Sequence, residues 1–336
     1  GKCIMAEKLT MADIAELAGV TKSTVSRYFN GGSIKEETRK KIQNVVEENN
    51  YIPNSFARLK AKESNTVGVI VPTLNSKVTS RVVTSIGRYL RSQGYEALIK
   101  DSDHSPKLEL ENINRLFTQK VDGILFSAIS LTEEHKQLLM NSPVPVVVLA
   151  QNFEEGITVT MDDYTAGKTM GSFMGSRVHG KIAYLGVDEE DEAVGIFRRQ
   201  GVLEGIKESG SQVMTVETGD YSYASGQEMM EKVLEKGLPD GVICATDRLA
   251  FGAYRILQKH GILIPERVSV AGFGGYDESE LLSPKLTTLR FDSYGLGYLG
   301  AETLLKMIRE EPVPKKQIVG FEMILGKSVR NENTVK

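Results

Sequence analysis

From Thr66 onward, short and nearly unbroken apolar runs alternate with longer amphipathic stretches, and this alternation restricts the fold more than any other feature. The runs TVGVIVP (66–72), YEALIK (95–100), DGILFS (122–127) and PVVVLA (145–150) are separated by helical patterns near 77–92 and 107–118 and by one further helix. The alternation resumes after about residue 160 with KIAYLGV (181–187), QVMTVE (212–217), GVICAT (241–246) and VSVAGF (268–273), again spaced by helices. Apolar runs of this length and continuity suit strands of a parallel sheet covered by helices on both faces. The expected architecture is α/β, with two doubly wound parallel sheets in a two-lobed core.

The first 64 residues follow a different pattern. In TMADIAELA (10–18), Thr10 stands three positions before Asp13, a capping arrangement, and Met11, Ile14, Ala15 and Ala18 fall on one helical face. Gly19 permits a tight turn, Val20 offers an apolar plug, and Thr21 is placed to cap a second helix running to Asn30. A third helix is expected from about Glu36 to Asn49, with Ser33 and Glu36 as a capping pair and Ile42, Val45 and Val46 facing inward. Two helices joined by such a turn form a helix-turn-helix, whose second helix offers its first residues to the major groove of DNA. Lys22, Ser23, Thr24, Ser26 and Arg27 are the candidates for contact, with Thr10 and Asn30 positioned for phosphates. Arg27 has the two parallel donors that suit guanine. A generic three-helix bundle with a polar face would share the pattern.

Charge favours the DNA reading. Residues 1–64 carry eleven Lys and Arg against eight Asp and Glu, although the whole chain has a net charge of -3. No apolar run approaches the roughly 18–20 residues that span a bilayer, and no stretch of signal-peptide character opens the chain, so a cytoplasmic protein without membrane partners is expected. Cys3 and Cys244 are the only cysteines. They suggest no disulfide, and Cys244, within an apolar run, reads as a buried inert thiol.

The string LTMADIAELAGVTKSTVSRYFN, followed by ETRKKI and NNYIPNSFAR, resembles the DNA-binding headpiece of the lactose-repressor (LacI/GalR) family. The resemblance continues in family order through NTVGVIVP, KVDGILF, FRRQG, CATDRLAFGA, PERVSVAGFG and SPKLTTLRFD, over about residues 8–330. It implies an all-α helix-turn-helix headpiece at 8–54, a hinge at 55–64 and a periplasmic-binding-protein-like core at 65–330. Within that core it implies an N-lobe of about 65–160 and 290–320 and a C-lobe of about 161–289 and 321–330. It further implies a homodimer on pseudo-palindromic operator DNA and a hinge that folds on the operator, with Tyr51, Asn54, Ala57 and Arg58 at the DNA. The family's wedging leucine is displaced, because Leu59 comes one place early and Lys60 occupies the wedge position. Either Leu59 rotates into the role or the hinge meets the minor groove differently.

Ligands of doubly wound sheets sit at the carboxyl ends of strands. That rule selects Leu74, Asn75, Ser76, Asp101, Ser102, Ser127, Gln151, Asp162, Asp220, Tyr221, Thr246 and Asp247, with Tyr221 or Phe291 as an aromatic face. The resemblance adds Arg198 as a bond to ligand hydroxyls or a phosphate. It also marks Gly274, in GFGGYD, as standing where the family has a carboxylate, with Asp277 next in reach. The same strings are similar to repressors of sucrose operons, with trehalose-type repressors nearby. The implied effector is sucrose, fructose or a phosphorylated sugar, and a corepressor or a phosphocarrier protein stays open as an alternative.

Catalytic readings find little support. His104, His135, His179 and His260 lack metal-ligand spacing and read as solvated, so neither a metal nor another cofactor is expected. Gly295, Gly297 and Gly300 match a dinucleotide-binding glycine pattern, but no acid follows at the required distance, and they read as a helix face. The acidic run Asp188–Glu192 reads as a solvated loop. A sugar-binding transport protein would share the core but not the headpiece. A leucine heptad does not follow residue 325, which argues against a coiled-coil tetramer.

Overall fold

The computed structural model describes residues 9–29, 32–49, 51 and 64–331. Asn30, Asn54 and the proposed hinge positions Ala57, Arg58, Leu59 and Lys60 lie outside them. The chain divides into two compact units, 1–64 and 65–336.

In the first unit, helix α1 (Met11–Leu17) opens with the expected capping box. The Asp13 amide donates to Thr10 Oγ1 (3.3 Å), and the Thr10 amide donates to Asp13 Oδ2 (2.6 Å). Gly19 adopts φ +64, the left-handed conformation that the turn requires. Helix α2 (Lys22–Phe29) starts beside Thr21, whose hydroxyl accepts from the Thr24 amide. Helix α3 (Glu36–Glu48) is capped by Lys35 with no side-chain bond, so the Ser33–Glu36 pair expected there does not form. Ile14, Ala15, Ala18, Val25, Ile42 and Tyr51 close the mini-core.

The second unit contains two six-stranded sheets. Strands β1 (Thr66–Val71), β2 (Glu96–Asp101), β3 (Gly123–Ser127), β4 (Val146–Leu149) and β5 (Ile157–Met161) build most of the first. Helices α4 (Lys77–Ser92), α5 (Pro106–Thr118) and α6 (Glu133–Met140) connect them. The chain then enters the second lobe through α7 (Asp163–Val178), β6 (Lys181–Val187), a π-helix (Glu192–Arg198) and α8 (Arg199–Glu208). Strands β7 (Gln212–Gly219), β8 (Gly241–Cys244), β9 (Ser269–Phe273) and β10 (Thr287–Phe291) follow, with α9 (Tyr223–Lys236) and α10 (Asp247–Lys259) between them. Helix α11 (Ser293–Ile308) returns to the first lobe, where Leu296, Ala301, Leu304 and Leu305 pack against Val67, Val69 and Leu125. Strand β11 (Lys316–Val319) completes the first sheet, and β12 (Phe321–Ile324) completes the second.

The first sheet, in order β11-β5-β4-β3-β1-β2, is parallel throughout. The second, β12-β10-β9-β8-β6-β7, departs from the all-parallel expectation because β12 runs antiparallel to β10. A crossover of one residue, Gly320, leads directly from β11 into β12. The central strands β1, β3, β8 and β9 are almost wholly buried, as apolar runs covered on both faces must be. Cys244 is buried at the end of β8, and burial pushes its thiol well above the usual range, which agrees with an inert role. The glycine pattern at 295–300 lies on α11, where a side chain on Gly297 would meet the Val82 carbonyl at 2.4 Å. Gly297 therefore serves close helix packing, while a side chain on Gly300 would meet Leu149 of β4. No helix of the described residues is long and apolar enough to cross a membrane.

Candidate functional site

In the headpiece, Lys22, Ser23 and Arg27 are exposed on α2, while Val25, in the same turns, is buried against Ile14 and Ile42. Thr24 and Ser26 are half-buried beside them. The helix thus presents one polar, basic edge, with its partly positive N-terminus at that edge. Thr10 is committed in part to its own helix, because its hydroxyl donates to Asp13 Oδ2 at 2.7 Å. The structure moves Tyr51 away from the role expected at DNA. Its ring is only 9% exposed and packs 5.9 Å from Phe29, so it belongs to the mini-core.

A cleft of about 480 Å³ opens between the two sheets of the second unit. Asn75, Ser76, Ser127 and Gln151 line it from the first lobe, and Arg198, Tyr221, Thr246, Gly274 and Phe291 also line it. The fold brings these together because all but Arg198 follow or end a strand at the same end of its sheet, and Arg198 closes the π-helix in the connection after β6. Ser76 and Thr246 also cap α4 and α10.

At the base, Arg198 donates through Nε and Nη2 to Asp163 Oδ1 (2.9 and 2.6 Å) and through Nη1 to the Ala245 carbonyl (2.7 Å). Its guanidinium lies 5.0 Å from the Phe273 ring centre and 5.3 Å from that of Phe291. Burial pushes the Asp163 carboxyl up to about 6 against the opposing pull of Arg198. For Arg198, burial acts to lower the guanidinium value, but Asp163 and the surrounding groups outweigh it and the group stays charged.

Gln151 bridges the lobes. Its Nε2 donates to the Ile129 carbonyl (3.0 Å) and to Asp191 Oδ1 (2.9 Å), and its Oε1 accepts from the Ala193 amide (3.1 Å). Asp191 also accepts from the Tyr221 hydroxyl (2.5 Å). Burial, reinforced by Asp191, holds that phenol protonated. A second tie runs from Arg81, which donates to the carbonyls of Gly274 (2.9 Å) and Gly275 (2.7 Å).

Five expected residues do not line the cleft. Asp101 is exposed and commits its carboxylate to the adjoining loops, accepting from the amides of Leu74 (2.9 Å) and Asp103 (2.7 Å). Leu74 points to solvent at 51% exposure. Ser102 is buried behind the wall, within 3.4 Å of Asn112 Nδ2. Asp162 caps α7, accepting from the Thr165 amide, and the next residue, Asp163, turns inward in its place. Asp247 is buried and accepts from the Tyr276 amide, Ser279 Oγ and Thr288 Oγ1, so it braces the 274–279 segment from behind. Asp277 does not reach in either. It is 85% exposed and faces Arg81 at 3.6 Å.

Two further readings are corrected. Asp191, within the acidic run taken as solvated, lines the cleft and caps the π-helix by accepting from the Val194 amide. Among the histidines taken as solvated, His104 lines the cleft and stacks on Tyr221 with ring centres 4.9 Å apart. His135 is wholly buried, 3.3 Å from Glu109 Oε1. Asp103, Asp220, Arg248 and Tyr276 complete the polar wall. Among the described residues, no group of His, Cys, Asp and Glu could hold a metal ion.

Residues 10–54 match the family described as bacterial regulatory proteins, lacI family, and residues 174–329 match the periplasmic binding protein-like domain. The chain is 30% identical over 317 residues to the sucrose operon repressor of Staphylococcus xylosus, a match covering 93% of this chain and 98% of the relative. It is 32% identical over 313 residues to catabolite control protein A of Priestia megaterium, covering 91% and 94%. Among solved structures, the lac repressor dimer bound to operator and the anti-inducer ONPF shares the fold. The TM-score is 0.72 at 24% identity, over 97% of this chain and 100% of that one.

Proposed function

The chain belongs to the LacI family of bacterial regulatory proteins, DNA-binding transcriptional repressors rather than enzymes, and from that premise we propose that it controls a carbohydrate-utilisation operon through a sugar bound in the cleft. The effector is of the sucrose or fructose type, free or phosphorylated. The observation that carries this reading is the Gln151–Asp191 bridge, which joins the lobes across a cleft walled by hydrogen-bonding groups and aromatic rings. Such a wall suits a ligand with many hydroxyls. The chain works as a homodimer whose paired α2 helices read the two halves of a pseudo-palindromic operator, with Lys22, Ser23, Thr24, Ser26 and Arg27 at the major groove. The hinge, with Leu59 or Lys60 at the minor groove, transmits the state of the cleft. Sugar and operator then weaken one another by the same factor.

Thermal-shift screening of the full chain with sucrose, fructose, trehalose and their phosphates tests the effector site. A ligand at a hundred times its dissociation constant adds about 2.7 kcal/mol to the stability of the unit that binds it. Silence towards every sugar would remove the sugar from the proposal. A second reading keeps the repressor and makes the bound effector a corepressor, which strengthens operator binding. The direction of the change in operator affinity separates the two.

A further inference from the structure

We propose that Asp191 makes this cleft select an uncharged polyhydroxy ligand and reject its phosphorylated or carboxylated form, an inference that rests on the cleft being the effector site. The carboxylate is held by Gln151 Nε2 (2.9 Å), the Val194 amide (3.1 Å) and the Tyr221 hydroxyl (2.5 Å), and all three are neutral donors. A carboxylate offers about four acceptor positions, so one remains for a hydroxyl of the ligand. A phosphate or carboxylate brings no proton to that position at neutral pH and adds a like charge.

The rest of the wall does not supply the missing cation. Two arginines, Arg198 and Arg248, face four aspartates, Asp103, Asp163, Asp191 and Asp220. Arg198 is already committed to Asp163, which lies at the base with it. Arg248 is half-buried at the wall, its guanidinium 3.4 Å from Asn75 Oδ1 on the facing lobe, and Asp103 and Asp220 are the exposed acids of the same wall. His104 lies flat on Tyr221. The field of Asp191 is felt at the base as well, since its charge adds to the burial that raises Asp163. An anion entering this cleft therefore meets net negative charge, whereas a sugar hydroxyl meets acceptors.

Isothermal titration of the full chain with matched pairs, fructose against fructose 6-phosphate and sucrose against sucrose 6-phosphate, tests the inference. Within a pair the uncharged member is expected to bind at least tenfold more tightly. In Asp191→Asn, which keeps a carbonyl oxygen for Gln151 and Val194 and turns its amide toward the Tyr221 hydroxyl oxygen but loses the charge, that preference is expected to shrink at least threefold. Equal or tighter binding of the phosphorylated member overturns the inference while leaving a sugar effector in place. So does an unchanged preference in the variant. Binding of neither member of either pair overturns the effector reading itself, and the inference falls with it. The wild-type comparison decides without the variant should Asp191→Asn fail to fold.

Discussion

Replacing Arg198 by methionine probes the deepest contact of the cleft. Methionine occupies similar space beside Phe273 and Phe291 but removes the charge and the three bonds to Asp163 and Ala245. Deleting one partner of a buried ion pair costs about 3–5 kcal/mol, because the remaining charge is stranded at low dielectric. Burial already lifts Asp163 to about 6 with Arg198 in place, and without that cation the carboxyl rises further. The native variant then holds a proton that the unfolded chain releases in the ordinary carboxylate range. The contribution of Asp163 to stability is fullest in acid and is lost as pH climbs through the raised value. Urea denaturation of the full chain, followed at the transition of the core, should therefore show a larger deficit near about pH 8 than near about pH 5. Adding Asp163→Asn removes the stranded charge and should recover more than half of the loss. A deficit below about 1 kcal/mol, or one indifferent to pH, would refute the account of this pair.

Other substitutions separate the parts of the molecule. Arg27→Ala should weaken operator binding by about 1–3 kcal/mol and relax discrimination at one base position, with sugar affinity unchanged in fluorescence titrations. Asp247→Ala strips the acceptor from Tyr276, Ser279 and Thr288, and should lower core stability by at least about 2 kcal/mol in denaturant titrations. Equal stability of that variant would show that the acid does not brace the wall. Gly171→Ala places a Cβ 2.2 Å from the Val202 carbonyl where α7 and α8 cross, and should cost about 1–3 kcal/mol in calorimetric melts.

Much of the architecture was legible because it rests on local rules. Thr10 and Asp13 announced their capping box, and the runs that became β1, β3, β8 and β9 are apolar because both faces of each strand are covered. Strands β5, β10, β11 and β12 were not read from the alternation. In β5 the apolar residues are interrupted by Thr158 and Thr160, and β12 pairs antiparallel at an edge, outside any repeating unit. At the site, the rule that ligands gather at strand ends found Asn75, Gln151, Tyr221 and Thr246, but it could not tell a helix cap from the residue beside it. Hence Asp162 was expected where Asp163 stands, and Asp247 was expected in the cleft that it supports from behind. Asp191 and His135 were missed for a common reason. A charged or polar residue in a hydrophilic stretch looks solvated until a partner from a distant segment, Gln151 or Glu109, is seen to meet it.

The most direct test of the central claim is a titration of the full chain onto its own promoter DNA at fixed salt, with and without sucrose or fructose. The account predicts binding about a thousandfold or more tighter than to scrambled DNA, and a shift of that affinity by the sugar. Equal affinity for scrambled DNA would contradict the repressor reading, and operator affinity indifferent to every sugar would contradict the sensor reading.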